Sequence, residues 1–149
     1  MIPPQSAAPT DDRWPAIAAA IAQLHERGRR SIRIVDCDCG AGETLLCAAR
    51  YARSLGFTAI EARGVDGAAS LVARARSRAA RRPDSAIGVT FERRDPVSAL
   101  RDEADFPADI VLWRSARAAR QDVLDAVAEA ADIAIGDTGA TSGRLDRAA

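Results

Sequence analysis

The chain contains no lysine and no asparagine; all 21 of its basic residues are arginine. Chemistry that needs a lysine nucleophile, the lysine of a Walker-type phosphate loop or an asparagine amide is therefore excluded. No apolar run approaches the roughly 18 residues that a membrane-spanning helix requires. The opening MIPPQSAAPTDDRW lacks the charged start and apolar core of a secretory leader, so a cytoplasmic location is expected. Cysteine is scarce, and the three at 37, 39 and 47 form an odd, clustered set that cannot build a regular disulfide framework. Net charge is absent too: 21 acids balance 21 bases, and no net field points to nucleic acid or an anionic membrane as a partner.

What is present is ordinary globular material, 48% apolar and 28% charged, in 149 residues. One domain of this length buries roughly 70% of its unfolded surface. Residues 1–9 carry three prolines and no periodicity, and are expected to be a loose tail. Thr10-Asp11-Asp12 can cap a helix in which Trp14, Ile17, Ile21 and Leu24 recur at helical spacing, ending near Gly28. Strands are expected at 31–37, 57–66, 86–95, 108–114 and 132–136, with helices at 42–56, 67–83, 97–104 and 115–131 between them. Residues 137–149 read as loop and tail, which leaves 10–136 as the folded domain. Strands alternating with helices of this length imply a right-handed βαβ series: a three-layer α/β/α sandwich around a mainly parallel sheet of about five strands.

In such sheets ligands sit outside the carboxyl ends of the strands, where strand order reverses. The segment IRIVDCDCGAGETLLCAARYA (32–52) runs from the first strand through a glycine turn into a helix, and so lies in that place. A dinucleotide fingerprint would read G-x-G-x-x-G, but from Gly40 the chain reads G-A-G-E-T-L, with Leu45 at the third glycine. Asp36 and Asp38 also flank the turn, and two carboxylates would repel a pyrophosphate by several kcal/mol if poorly screened. An NAD-dependent oxidoreductase is disfavoured on both counts. The pair instead suits a ligand carrying an ammonium and a sulfonium.

IVDCDCGAGET is similar to the first motif of class I S-adenosylmethionine (SAM)-dependent methyltransferases, apolar-apolar-D-x-G-x-G-x-G. Asp36, Gly40 and Gly42 fall in register, with Asp38 at the first glycine and Cys39 between it and Gly40. The resemblance implies a Rossmann-like fold, SAM as cofactor, and a loop passing under its methionine moiety with the acid near its amino group. GVD (64–66) resembles the end of the second strand, which assigns Asp66 to the ribose hydroxyls, with Gly67 and Ala68 beside ribose and adenine. FERRDP (91–96) resembles the segment that recognises the adenine amino group, assigning Asp95 with Arg94 as its neighbour. PADIVLWRS (107–115) is similar to the family's fourth-strand motif, so the resemblance covers about residues 30–115. Asp38 is the departure: glycine is preferred there for unusual backbone angles and close approach, which aspartate tolerates better than most residues. Its carboxylate either pairs with the cofactor ammonium or obstructs the methionine tail.

Other features have plainer readings. Cys37, Cys39 and Cys47 form C-x-C-x7-C, but a strand and a helix two turns on do not aim three thiols at one point, so buried packing is expected and no metal. His25 reads as a helix-surface residue. The arginines at 74–82 alternate with alanine as a solvated helix face does, and no aromatic platform accompanies them. Trp113 fits a core position as well as a substrate pocket. Methyl transfer needs alignment and a dry site more than a general base. The sequence WRSA after the fourth strand lacks the Asn/Asp-Pro-Pro-aromatic motif of exocyclic-nitrogen methylation, so a small-molecule acceptor is expected. Only 13 residues follow the fifth strand, too few for the family's usual C-terminal hairpin and helix. The sheet edge beside it would stay open, which predicts a homodimer through that edge or a fragmentary fold with a reduced substrate pocket. The alternative is a noncatalytic Rossmann-like module that binds SAM or adenosine, or works through assembly.

Overall fold

The computed structural model describes residues 9–114, 121–137 and 139–142. The element order is α1 (Trp14–Glu26), β1 (Ser31–Asp36), α2 (Glu43–Leu55), β2 (Ala59–Asp66), α3 (Ala69–Ala80), β3 (Ile87–Arg93), α4 (Pro96–Glu103), β4 (Ala108–Leu112), α5 (Gln121–Ala130), β5 (Ala131–Gly136) and β6 (Gly139–Ser142). The sheet runs β3-β2-β1-β4-β5-β6, with the first five strands parallel and β6 antiparallel to β5. Strand order reverses between β1 and β4, which puts the crevice of the sheet at the carboxyl ends of these two strands.

Period-two alternation in the strands divides the core into two layers. Ile32 and Ile34 of β1, with Ile60 and Ala62 of β2, pack against α1, α2 and α3. Val35 and Val65, from the same strands, face α4 and α5 instead. Helix α1 buries Ile17, Ile21 and Leu24 of the stripe that its spacing predicts, together with Ala20, while Trp14 is partly buried. Arg33 and Arg63 also point to the α4 side, where the buried Glu103 carboxylate closes on both: Arg63 Nη1 lies 2.7 Å from Oε1, and Arg33 Nη1 pairs with Oε2. This ion cluster takes the place that an apolar contact would have under a short helix.

Two expectations are corrected. The Thr10-Asp11-Asp12 segment does not cap α1 through a side chain; Arg13 occupies the cap position, and Asp11 has other partners. Residues 139–142, read as tail, form β6, so the edge beside β5 that was expected to lie open is paired over Ile133 to Gly136. A strand is stabilised there by the ladder it completes, not by any pattern of its own. The helix expected over 115–131 is present as α5 from Gln121; its first part, with the outer portions of both expected tails, lies outside the described residues.

Candidate cofactor-binding site

Strand β1 ends in the turn Cys37 to Gly42, and α2 begins directly after it. Gly40 and Gly42 have φ of +55° and +80°, angles that side-chain-bearing residues seldom adopt. Among the described residues no non-glycine residue has positive φ, so Asp38 sits in ordinary backbone. The glycine preference at that position is therefore not enforced by turn geometry here, and aspartate brings no strain. A Cβ on Gly42 would lie 2.7 Å from the Phe91 ring, and one on Gly64 would lie 2.6 Å from it. The ring of β3 thus wedges beneath the turn because both residues lack side chains.

Four N–H groups of the turn, those of Asp38, Cys39, Gly40 and Gly42, are taken by the protein itself. Asp38 N–H donates to Asp36 Oδ1 at 3.2 Å, and Gly40 N–H to Asp66 Oδ2 at 3.0 Å. Cys39 N–H donates to the Val65 carbonyl at 3.0 Å and Gly42 N–H to the Cys39 carbonyl at 2.9 Å. A phosphate loop works by leaving such donors free for the anion. This one offers carboxylates instead.

A cleft of about 580 Å³ opens over the turn, a size within the range of small-molecule sites. From the turn it is lined by Asp36, Asp38, Cys39 and Gly40, and from the end of β2 by Asp66, Gly67 and Ala68. Seven of the ten residues singled out in the sequence are thereby brought together. Gly42 instead lies under the turn against Phe91. Arg94 and Asp95 are not brought to the cleft. Asp95 Oδ2 accepts from Ser98 N–H at 3.0 Å as the cap of α4, and the Arg94 guanidinium is held by Asp102 and Ser98. The segment still braces the site: Arg94 N–H donates to the Asp66 carbonyl at 3.2 Å and Arg93 Nε to that of Gly67 at 3.3 Å.

Asp66 is a strut as well as a wall. Its Oδ1 accepts from Ala68 N–H at 2.8 Å while Oδ2 holds Gly40, so one buried carboxylate ties the two loops of the cleft together. Each oxygen keeps a further lone pair for a ligand hydroxyl. Asp36 is buried, and burial pushes its carboxyl up to about 6; the Arg13 charge and the Asp38 N–H oppose that rise, while the Asp38 and Asp11 charges add to it.

Five lining residues have no counterpart among those singled out: Asp11, Arg13, Thr44, Leu71 and Arg114. Asp11 organises four of these five, itself included. Its Oδ1 accepts from Arg13 N–H and Nε, both at 3.0 Å, and its Oδ2 from Arg13 Nη2 at 2.8 Å, Thr44 Oγ1 at 2.8 Å and Arg114 Nη2 at 3.1 Å. Burial alone would raise the Asp11 carboxyl, but these bonds and the Arg13 charge hold it well below the ordinary range. Arg13 Nη1 reaches on to the Trp113 carbonyl at 3.0 Å. The entry to α1, the start of α2 and the end of β4 are thereby locked around one carboxylate. The Asp-x-Arg spacing of Asp11 and Arg13 is the sequence signal that could have marked it.

The cysteines lie on opposite sides of the sheet. Cys37 packs with the α4–α5 layer and donates its thiol to the Leu112 carbonyl at 3.1 Å, whereas Cys39 belongs to the other layer. Burial raises both thiols, Cys39 to about 12, so neither is a thiolate near neutrality. His25 is half-buried, its ring 5.6 Å from that of Phe57. Trp113 is core, stacked over Gly136 in the α4–α5 layer.

No family model and no curated protein matches the sequence. The structure does match solved ones. WbdD superposes with a TM-score of 0.66 at 18% identity, over 87% of this chain and 32% of that one. The magnesium protoporphyrin IX methyltransferase ChlM from Synechocystis PCC 6803, with bound SAM, gives 0.55 at 19% identity, over 80% and 55%. A Listeria monocytogenes protein described as a class I SAM-dependent methyltransferase gives 0.50 at 20%, over 71% and 33%. The fold is that of the class I SAM-dependent methyltransferases. The chain spans between a third and rather more than half of the length of these proteins.

Proposed function

We propose that the cleft binds SAM and that this chain is a methyltransferase domain acting on a small-molecule acceptor. The observation that carries this reading is the turn itself: the N–H groups of Asp38, Cys39, Gly40 and Gly42 are spent inside the protein, while Asp36 and Asp38 stand beside it. Such a site rejects a phosphate bridge and attracts a cation. SAM supplies a methyl group on a sulfonium already activated for transfer. Asp36 and Asp38 would hold the amino group, and the remaining lone pairs of Asp66 the ribose hydroxyls. Gly67, Ala68 and Leu71 form the wall that an adenine ring would meet. Arg114 and Asp11 stand between this cleft and a smaller hollow of about 330 Å³ lined by Pro9, Asp12 and Glu43, where an acceptor could enter.

The second reading is a noncatalytic module in which the same cleft holds SAM or adenosine without group transfer. Calorimetric titration with SAM and with its demethylated product tests both. Saturable binding that Asp38→Ala weakens supports the cleft as assigned; no binding of either ligand overturns it. Release of demethylated cofactor in the presence of an acceptor library separates enzyme from module. The homodimer expected through the β5 edge loses its motive where β6 pairs that edge, and light scattering of the purified chain tests the oligomeric state; a cytoplasmic setting stays part of the proposal.

A further inference from the structure

Away from the cleft, helices α2 and α3 part over the edge strand β3 and leave a groove of about 610 Å³. It shares no lining residue with the cofactor cleft. Its floor is apolar: Leu46 and Ala49 of α2, Val89 and Phe91 of β3, with Ala79 of α3 as a wall. Its rim is cationic, carrying Arg50, Arg76 and Arg82. Arg76 is committed, since its Nε donates to the Phe91 carbonyl at 2.9 Å.

Arg50 and Arg82 differ from the other arginines of this face. Arg53 lies 3.3 Å from Asp84 and Arg78 lies 3.8 Å from Glu43, so both acids are already engaged. Glu92, also at the groove, is held by Arg63 from the opposite side of the sheet. Among the described residues neither Arg50 nor Arg82 has an acidic partner. Burial and then the nearby positive charges of Arg82 and Arg78 lower the affinity of Arg50 for its proton. Like charges gathered over an apolar floor, with the local acids spent elsewhere, form a site that an anion stabilises.

We propose that this groove binds a small amphiphilic anion, its apolar body on the Leu46–Val89–Phe91 floor and its carboxylate or comparable acidic head between Arg50 and Arg82. A simple inorganic anion would leave the half-buried Ala79, Ile87 and Val89 uncovered above the buried Leu46 and Phe91, and a neutral apolar molecule would leave the two guanidinium groups uncompensated. Both parts of the ligand are needed.

The test is calorimetric titration of the full chain with decanoate below its micellar range. Acetate serves as the head without the body, and decyltrimethylammonium as the body with the opposite charge. Saturable one-to-one binding of decanoate is expected, with neither control binding comparably. Arg50→Gln and Arg82→Gln should each weaken decanoate by about tenfold or more, the effect of losing one charge-assisted hydrogen bond. Both should leave the thermal transition unchanged. The proposal is overturned by absence of saturable decanoate binding, by equal binding of the cationic analogue, or by full affinity in the double variant. Association with anionic vesicles in a chain that does not bind monomeric decanoate also overturns it, since that result describes a charged surface and not a groove.

Discussion

Asp66→Asn separates the two roles that the structure gives this carboxylate. Asp66 accepts from Gly40 N–H at 3.0 Å and from Ala68 N–H at 2.8 Å, one bond on each oxygen. Asparagine keeps one acceptor and turns the other position into an N–H₂ donor, which must face a backbone N–H. One charge-assisted bond, worth about 1.5–3 kcal/mol, is lost, and a buried donor left unsatisfied adds about 1–3 kcal/mol. Partial relaxation of the loops brings the expected total to about 2–4 kcal/mol. For a domain of this size that lowers Tm by roughly 5–15 °C. Chemical denaturation of both proteins at neutral pH, followed by circular dichroism, measures the difference directly. If Asp66 were only a ligand for ribose hydroxyls, the variant would unfold with the wild type and lose cofactor binding alone. A stability change under about 1 kcal/mol would refute the strut.

Four further outcomes follow from the same geometry. The Asp36 carboxyl titrates near 6 in the folded chain against about 3.8 when unfolded, so its proton favours folding most at low pH and that contribution is lost as pH rises through about 6; Asp36→Asn should stabilise the protein at pH 8 by roughly 2–3 kcal/mol in urea unfolding. Cofactor affinity should fall as pH drops through about 6, when that anion is neutralised, and calorimetry at pH 5 and pH 8 should find the dependence flattened in Asp36→Asn. Gly64→Ala places a Cβ 2.6 Å from the Phe91 ring and 3.0 Å from Cys39 Cβ, an overpacking of about 1–3 kcal/mol that should appear as a lower unfolding midpoint together with weaker binding. Glu103→Ala removes the carboxylate shared by Arg33 and Arg63 but leaves them Glu61 and Glu92, and should cost about 1.5–3 kcal/mol, whereas a variant indistinguishable in denaturant would show the cluster to be ornamental.

What could be read from the sequence was local. β-Branched runs marked β1 and β4, helical spacing marked α1, and the order of acids at strand ends placed Asp36, Asp38 and Asp66 at one crevice. What escaped was set by pairing across the chain. Asp11 meets Thr44 and Arg114, 33 and 103 positions away, and before folding it resembles any helix-capping aspartate. Strand β6, Gly-Ala-Thr-Ser, has no periodicity to read and exists because β5 offers it a ladder. Asp95 shows the reverse case. Its place in FERRDP suggested a ligand contact, yet the Asp-Pro-Val-Ser run is also a helix start, and the local cap at Ser98 is the role it takes.

The glycine turn carries the most consequential of these distinctions. A G-x-G spacing states only that backbone approaches something closely; whether that something is anionic depends on where the N–H groups point. At Asp38, Cys39, Gly40 and Gly42 they point to the Asp36 carboxylate, the Val65 carbonyl, the Asp66 carboxylate and the Cys39 carbonyl. Two of these four acceptors are the acids that would otherwise be supposed to face the ligand with both oxygens. On the proposed reading, the same carboxylates take two of the turn's N–H groups and keep other lone pairs for a cation. Aspartate at position 38 is compatible with the turn because the backbone there is unstrained and its own N–H is taken by Asp36.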